Sequence, residues 1–213
     1  MTTVTNQSAL PELSEPERAC LALACDALLA GTNPIGAVVV DADGMIVASG
    51  RNSVYGPARS DLLSASLLAH AEVNALLRLP VDERHSGLRL VTSLEPCQMC
   101  TGALLLATVG ALTFLGADPV NGTAWALKTP RYVSHRSVHV TGPRDDRVGR
   151  LASALPFAFV LSRNPRGRFA SAYRQSRPDL AACADALVRE GLFELAGRGV
   201  PWSEVAPVLL AAA

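Results

Sequence analysis

The sequence predicts an α/β fold in which helices sandwich a single sheet. Two observations lead there. Hydrophobic residues make up 49% of the 213 residues and charged residues only 18%, which is ample for a buried core and too apolar for a disordered chain. Segments of helical and strand character then alternate as helix, hairpin, helix, strand, helix, strand, followed by a mainly helical tail. The length suits one domain with an appendage.

Residues 1–12 read as a loose tail. "SEPERACLALACDALLAG" reads as a helix, with Ser14 and Glu17 forming a capping box, Pro16 in the first turn and Gly31 as the stop. Cys20 and Cys25 lie five apart in this stretch, a poor spacing for a shared face, and are assigned to the core. "IGAVVVD" and "MIVASG" flank the turn "ADG" and predict a β-hairpin. "RNSVYGPARSD" is a loop, and a helix over residues 62–79 follows, ended by Pro80. "LRLVTSL" is a short strand that runs into "EPCQMC". "CTGALLLATVG" is a helix stopped by Gly110. "ALTFLG" is a strand, "ADPVNGTAW" a turn-rich loop and "SVHVTG" a further strand. Beyond it, "VGRLASALPFAFVL", "PDLAACADALVREGLFELAG" and "SEVAPVLLAA" are helical with linkers between them. Residues 13–145 therefore form the principal domain, and residues 146–213 a helical extension packed on it.

No apolar run approaches the ~20 residues that cross a bilayer. The amino-terminal stretch has neither the basic nor the apolar region of a secretory signal, so a cytoplasmic location and no membrane partner are expected. Five cysteines, an odd number in a chain of this size, do not make a disulfide framework. The net charge is zero, yet residues 128–177 hold eleven Lys and Arg against Asp145 and Asp146, a local net of +9. A basic segment of this kind either follows a nucleic-acid backbone or lies on the surface beside acidic neighbours. Global neutrality favours the second.

The chemistry resides in two short motifs. "HAE" places His70 and Glu72 around Ala71, and "PCQMC" places Cys97 and Cys100 one helical turn apart, just after Pro96. Zinc takes a tetrahedral shell of nitrogen and sulfur donors. Two thiolates at a helix start are favoured by the helix dipole and by the cation. His70 supplies a third donor, which leaves the fourth position for water, as in a catalytic site. Glu72 is close to the ligands but not needed among them, and can move protons. A redox dithiol requires no His-x-Glu. A structural zinc closes with four ligands, and His85, His135, His139 and Cys183 offer no second paired motif. A glutamate is an odd companion for a mere core pair.

The pattern H-x-E…P-C-x-x-C resembles the signature of zinc deaminases. "NPIGAVVVDADGMIVASGRNSV", "HAEVNAL", "TSLEPCQMCTGALLLATVG" and "FLGADPVNGTA", within residues 33–124, resemble the cytidine deaminase-like superfamily, especially bacterial tRNA adenosine deaminases and nucleobase deaminases such as guanine and cytosine deaminase. The resemblance implies a three-layer α/β/α sandwich with a mixed five-stranded sheet, one Zn2+ per subunit and a homodimer. It implies His70, Cys97 and Cys100 as zinc ligands, Glu72 as proton shuttle, and Asn52 and Ala71 as substrate contacts. The Cys97 amide, at a helix start, is placed to steady the attacking oxygen. The chain departs from the family in a longer loop between Asn52 and His70 and in its tail.

The expected activity is zinc-dependent hydrolytic removal of an amino group from a nucleobase, nucleoside or related aminated heterocycle. The alternative is conversion of adenosine to inosine in tRNA. A third reading is a noncatalytic zinc-binding partner subunit, against which Glu72 argues.

Overall fold

The computed structural model describes residues 12–58, 63–129 and 137–193. The tail before residue 12, the "SEVAPVLLAA" segment, Arg131 and Arg136 lie outside the described residues.

Helix α1 (Glu15–Leu29) begins as expected: the Ser14 amide donates to Glu17 Oε2 at 2.8 Å, and Gly31, at φ +70°, follows its end. Strands β1 (Gly36–Val40) and β2 (Ile46–Arg51) form the hairpin. Helix α2 (Ala71–Leu76) precedes β3 (Arg89–Leu94), and helix α3 (Gln98–Leu106) precedes β4 (Ala111–Gly116). A 3-10 turn over Ala124–Lys128 and strand β5 (His139–Thr141) complete the sheet region. Helices α4 (Arg147–Arg163), α5 (Arg168–Ser176) and α6 (Pro178–Arg189) follow.

The five strands lie in the order β2-β1-β3-β4-β5. β1 runs antiparallel to β2 and β3, while β3, β4 and β5 are parallel, so the sheet is mixed. All five residues of β1 are buried, because both faces of the sheet are covered. Val38, Val40 and Val91 pack with Cys20 of α1, whereas Ala37, Val39, Leu90 and Leu112 pack with α2 and α3. The period of two sends alternate side chains into two cores. On the α1 side, Leu21 and Leu115 join Leu151, Leu155 and Phe157 of α4, and α5 and α6 pack outside them.

Three sequence expectations change. The helix expected over 62–79 is reduced to α2. Its upstream half is a looped segment tied down by Asn74, whose Oδ1 accepts from the Leu63 amide at 2.9 Å and whose Nδ2 donates to the carbonyls of Leu63 and Arg51. Leu67 and Leu68 are exposed, so the apolar spacing there serves no core face. The helix expected over 178–197 ends at Arg189, ahead of Gly191 at φ +80°. Residues 168–176, read as linker, form α5, which turns Ala170 and Tyr173 inward.

Candidate active site

The carboxyl ends of β3 and β4 lead straight into the site, the usual place for a ligand in an α/β sheet. β3 runs into Glu95, Pro96 and Cys97, and Cys97 caps α3. β4 runs into residues 117–123, which are stitched to the first loop: the Glu95 amide donates to the Gly116 carbonyl at 2.8 Å and the Thr123 amide to the Pro96 carbonyl at 3.0 Å. Glu95 locks the crossing, accepting from the amides of Asp118 at 3.3 Å and Ala124 at 3.1 Å. A Cβ at Gly122 would collide with this carboxylate, so the chain needs glycine there. Likewise a Cβ at Gly50 would strike the α2 backbone. That close approach of β2 sets α2, and with it His70, at the head of the helix.

These elements bring His70, Cys97 and Cys100 together. The two Sγ atoms are 3.6 Å apart, and lie 3.6 and 3.5 Å from His70 Nδ1. Zinc bonds of ~2.3 Å to sulfur and ~2.0–2.1 Å to nitrogen put tetrahedral donors ~3.6–3.8 Å apart. The donor set and its spacing therefore fit zinc, and these three residues form the metal-competent group among the described residues. Cys97 is pulled down to about 4 by its contact with Cys100 and, against burial, by His70. Cys100 is held up by that same contact and by burial. The Cys97 contact also raises His70.

Glu72 stands outside this group, with Oε2 3.4 Å from Cys100 Sγ. Only 3% of it is exposed, and burial raises its carboxyl above the ordinary range against the pull of His70. Burial therefore favours the protonated form of this carboxyl.

His70, Glu72 and Cys97 line a cavity of about 740 Å³, within the ~300–1,000 Å³ of small-molecule sites. Its wall includes Asn33, Ile35, Met99 and Trp125, and the extension contributes Pro156, Val160, Phe169 and Tyr173. Among the described residues, no Lys or Arg lines it. The sequence gives little sign of these wall residues: none of them stands out as a site residue, Asn33 and Ile35 standing only in the stretch that opens the hairpin and Phe169 and Tyr173 in a linker. Asn52 and Ala71 are buried and absent from the wall. The Asn52 amide donates to Ile35 at 2.9 Å, and its Oδ1 accepts from Thr32 Oγ1 at 2.7 Å and from the Val54 amide at 3.2 Å.

A sandwich that sets two cysteines, a histidine and a buried glutamate at the end of its sheet defines a zinc-site α/β protein with a carboxyl beside the metal donors. The sequence model of the cytidine and deoxycytidylate deaminase zinc-binding region matches residues 13–115. The tRNA-specific adenosine deaminase of Bacillus subtilis is 33% identical over 136 residues, covering 59% of this chain and 76% of that protein. The chain belongs to the cytidine and deoxycytidylate deaminase zinc-binding family. Guanine deaminase of Bacillus subtilis is 38% identical over 96 residues, 43% of this chain and 56% of that protein. The tRNA(Ile)-lysidine synthase of Deinococcus radiodurans is 40% identical over 105 residues, 48% of this chain but only 17% of the synthase, so the chain spans under a fifth of that relative. The solved guanine deaminase of Nitrosomonas europaea superimposes with a TM-score of 0.52 over 75% of this chain and 98% of that one, at 22% identity, and shares the fold.

Proposed function

We propose that the protein is a zinc-dependent hydrolytic deaminase of a small, unphosphorylated aminated heterocycle, a free nucleobase or nucleoside. The observation that carries this reading is Glu72, buried beside the His70, Cys97 and Cys100 donors in a cavity whose described wall holds no Lys or Arg. Among the described wall residues a phosphate would meet the carboxyls of Glu72, Glu95 and Asp118 and no Lys or Arg.

His70, Cys97 and Cys100 would hold the zinc, which would supply Lewis-acid activation of water at neutral pH. Glu72 takes the proton from the attacking water as its oxygen adds to the amine-bearing carbon. Glu72 passes that proton to the adjacent ring nitrogen, then takes the remaining proton of the added hydroxyl and delivers it to the amine. The carbon–nitrogen bond breaks, ammonia leaves, and the carbon becomes a carbonyl. The Cys97 amide, at the start of α3, steadies the oxygen. Residues 13–145 act as the catalytic unit, with one zinc per subunit in a cytoplasmic homodimer. The extension shares its core and closes the cavity.

Deamination of adenosine in tRNA is the second reading, supported by the Bacillus subtilis relative. Against it, Arg144, Arg174 and Arg177 of the basic segment are already spent on Glu17 and Asp146, on Asp185, and on Asp179. Arg163 lies over the Tyr55 ring, 4.7 Å from its centroid. A screen of purines, pyrimidines and their nucleosides for ammonia release by the zinc-loaded protein tests the proposal. Release from at least one small amine supports it. Release from none, with inosine formed in tRNA, replaces it with the second reading.

A further inference from the structure

One polar group on the cavity wall is left without a partner by the fold. Most of its polar neighbours are taken. Glu95 accepts from the two amides named above. Asp118 Oδ1 accepts from the amides of Val120 and Asn121, both at 2.9 Å, and from the Tyr173 hydroxyl at 3.1 Å. Asn121 Nδ2 donates to Asp118 Oδ2 at 3.5 Å, and Thr123 Oγ1 donates to the Pro96 carbonyl at 3.3 Å. Asn33 is different. It lines the same cavity, and its Oδ1 is buried with no hydrogen-bond partner. The other such atoms among the described residues, Arg51 Nη1, Ser53 Oγ and His85 Nε2, belong to residues outside the wall.

Folded proteins leave few buried acceptors unserved, because each forfeits the bond it made with water. Asn33 also has a stiff support. Pro34 follows it, the Ile35 amide donates to the Asn33 carbonyl at 2.7 Å, and β1 starts at Gly36. The side chain is thus held at the rim of the sheet, on the wall that also carries His70 and Glu72. A heterocycle bound in the cavity would supply the donor that this acceptor lacks.

We propose that Asn33 is a substrate-binding residue whose Oδ1 accepts from an N–H of the heterocycle other than the amine that leaves. The site then selects amino-heterocycles with a second N–H, either a ring N–H or a further amino group. This rests on the deaminase reading of the same cavity. Free bases satisfy the requirement, whereas cytidine and adenosine have no base N–H beyond the leaving amine.

The test uses matched pairs: cytosine and 1-methylcytosine, adenine and 9-methyladenine, guanine with 1-methylguanine and 9-methylguanine. Binding is measured by calorimetry on the zinc-loaded Glu72→Gln protein, which needs no turnover, with and without Asn33→Leu. Where Asn33 is native, blocking the second N–H of the best-bound base is expected to weaken binding about 10- to 100-fold, the scale of a buried hydrogen bond. With Asn33→Leu the parent base should bind about as weakly as its methylated partner. In otherwise wild-type enzyme, Asn33→Leu should raise KM by a similar factor and change kcat by less than about threefold. Asn33→Asp keeps the acceptor and should keep the N–H preference, which provides a reading should the leucine variant not fold. An equal methylation penalty with and without Asn33, or no binding of any of these bases, overturns the proposal. N–H-dependent binding without ammonia release removes the deaminase reading and leaves Asn33 as the binding residue. Ammonia release with no N–H dependence does the reverse.

Discussion

Tyr173 donates its hydroxyl to Asp118 Oδ1 across 3.1 Å, joining helix α5 of the extension to the loop that follows β4. The ring is 1% exposed and stacks on Phe157 with centroids 4.4 Å apart. Asp118 in turn offers its amide to Glu95, two residues before Cys97. The extension is therefore tied through three side chains to the loop that carries the thiols.

Tyr173→Phe should keep the stack and remove one donor from Asp118. The expected loss of unfolding free energy is ~0.5–1.5 kcal/mol, the net value of one internal hydrogen bond. Tyr173→Ala also empties the space beside Phe157 and should cost ~3–5 kcal/mol, as for other large aromatic truncations. Urea titration measures both. A phenylalanine variant as stable as wild type would mean that the bond to Asp118 contributes nothing.

Arg144 joins distant parts of the chain in another way, pairing with Glu17 of α1 and with Asp146, which caps α4, each at 2.6 Å. Burial alone would raise both carboxyls. For Glu17 the Ser14 amide and Arg144 outweigh it, and for Asp146 the Arg144 hydrogen bond leads, so both are held below the ordinary range. A depressed carboxyl stabilises the fold above its unfolded value, and the stabilisation is lost as pH falls through the folded value. Arg144→Met should therefore cost about 1 kcal/mol at neutral pH, a figure kept small by partial solvent screening. The gap to wild type should begin to narrow below the unfolded values of about 4 and close as pH falls through the lower folded values. Denaturant titrations at neutral pH and in acid test the sign. A gap that widens in acid would contradict it.

The sheet and the metal site were legible in the sequence because each rests on local rules. The short strand-like runs "GAVVV" and "LRLVTSL", the Ser14–Glu17 cap and the Cys97–Cys100 spacing act over a few residues. His70 was legible by its motif, although its surroundings were not. The apolar run before His70 has helical character, yet Asn74 and Ser53 bind the backbone of residues 63–69 into a loop. The cavity wall was the least legible part. Asn33, Trp125, Phe169 and Tyr173 come together from segments far apart in the chain, and only the packing of α4 and α5 brings them to one cavity. The basic run at 128–177 also reads differently in three dimensions, since several of its arginines answer acidic side chains that sequence order does not pair with them.

Glu72 and Cys97 sit at the same site in different roles, and substitution should separate them. Glu72→Gln should keep about one zinc per chain, because the donor set is untouched. It should lower kcat by ~10²–10⁴, the range for lost acid–base help. Cys97→Ala removes a donor and should lose zinc, activity and thermal stability together, since metal binding and folding are coupled. Elemental analysis, ammonia release and melting curves provide the three readouts. A Glu72→Gln enzyme with near-normal turnover would end its assignment as the proton carrier.

Salt separates the two substrate readings. A protein that neutralises several phosphates releases counterions, so its affinity for RNA falls steeply as salt rises. A neutral base or nucleoside entering a cavity whose described wall has no Lys or Arg has no counterions to release. Turnover of the small amine should therefore change by less than about twofold between ~50 and ~200 mM salt, where an RNA-binding step making 6–10 phosphate contacts would lose ~10³–10⁵ in affinity. Added tRNA should not compete. Arg163, Arg166 and Arg168 offer the direct control, as none of them lines the cavity. Changing all three to alanine should leave ammonia release from the small substrate unaltered. Salt-sensitive inosine formation in tRNA that disappears in this triple variant would instead establish the nucleic acid as the substrate and the arginines as its contact.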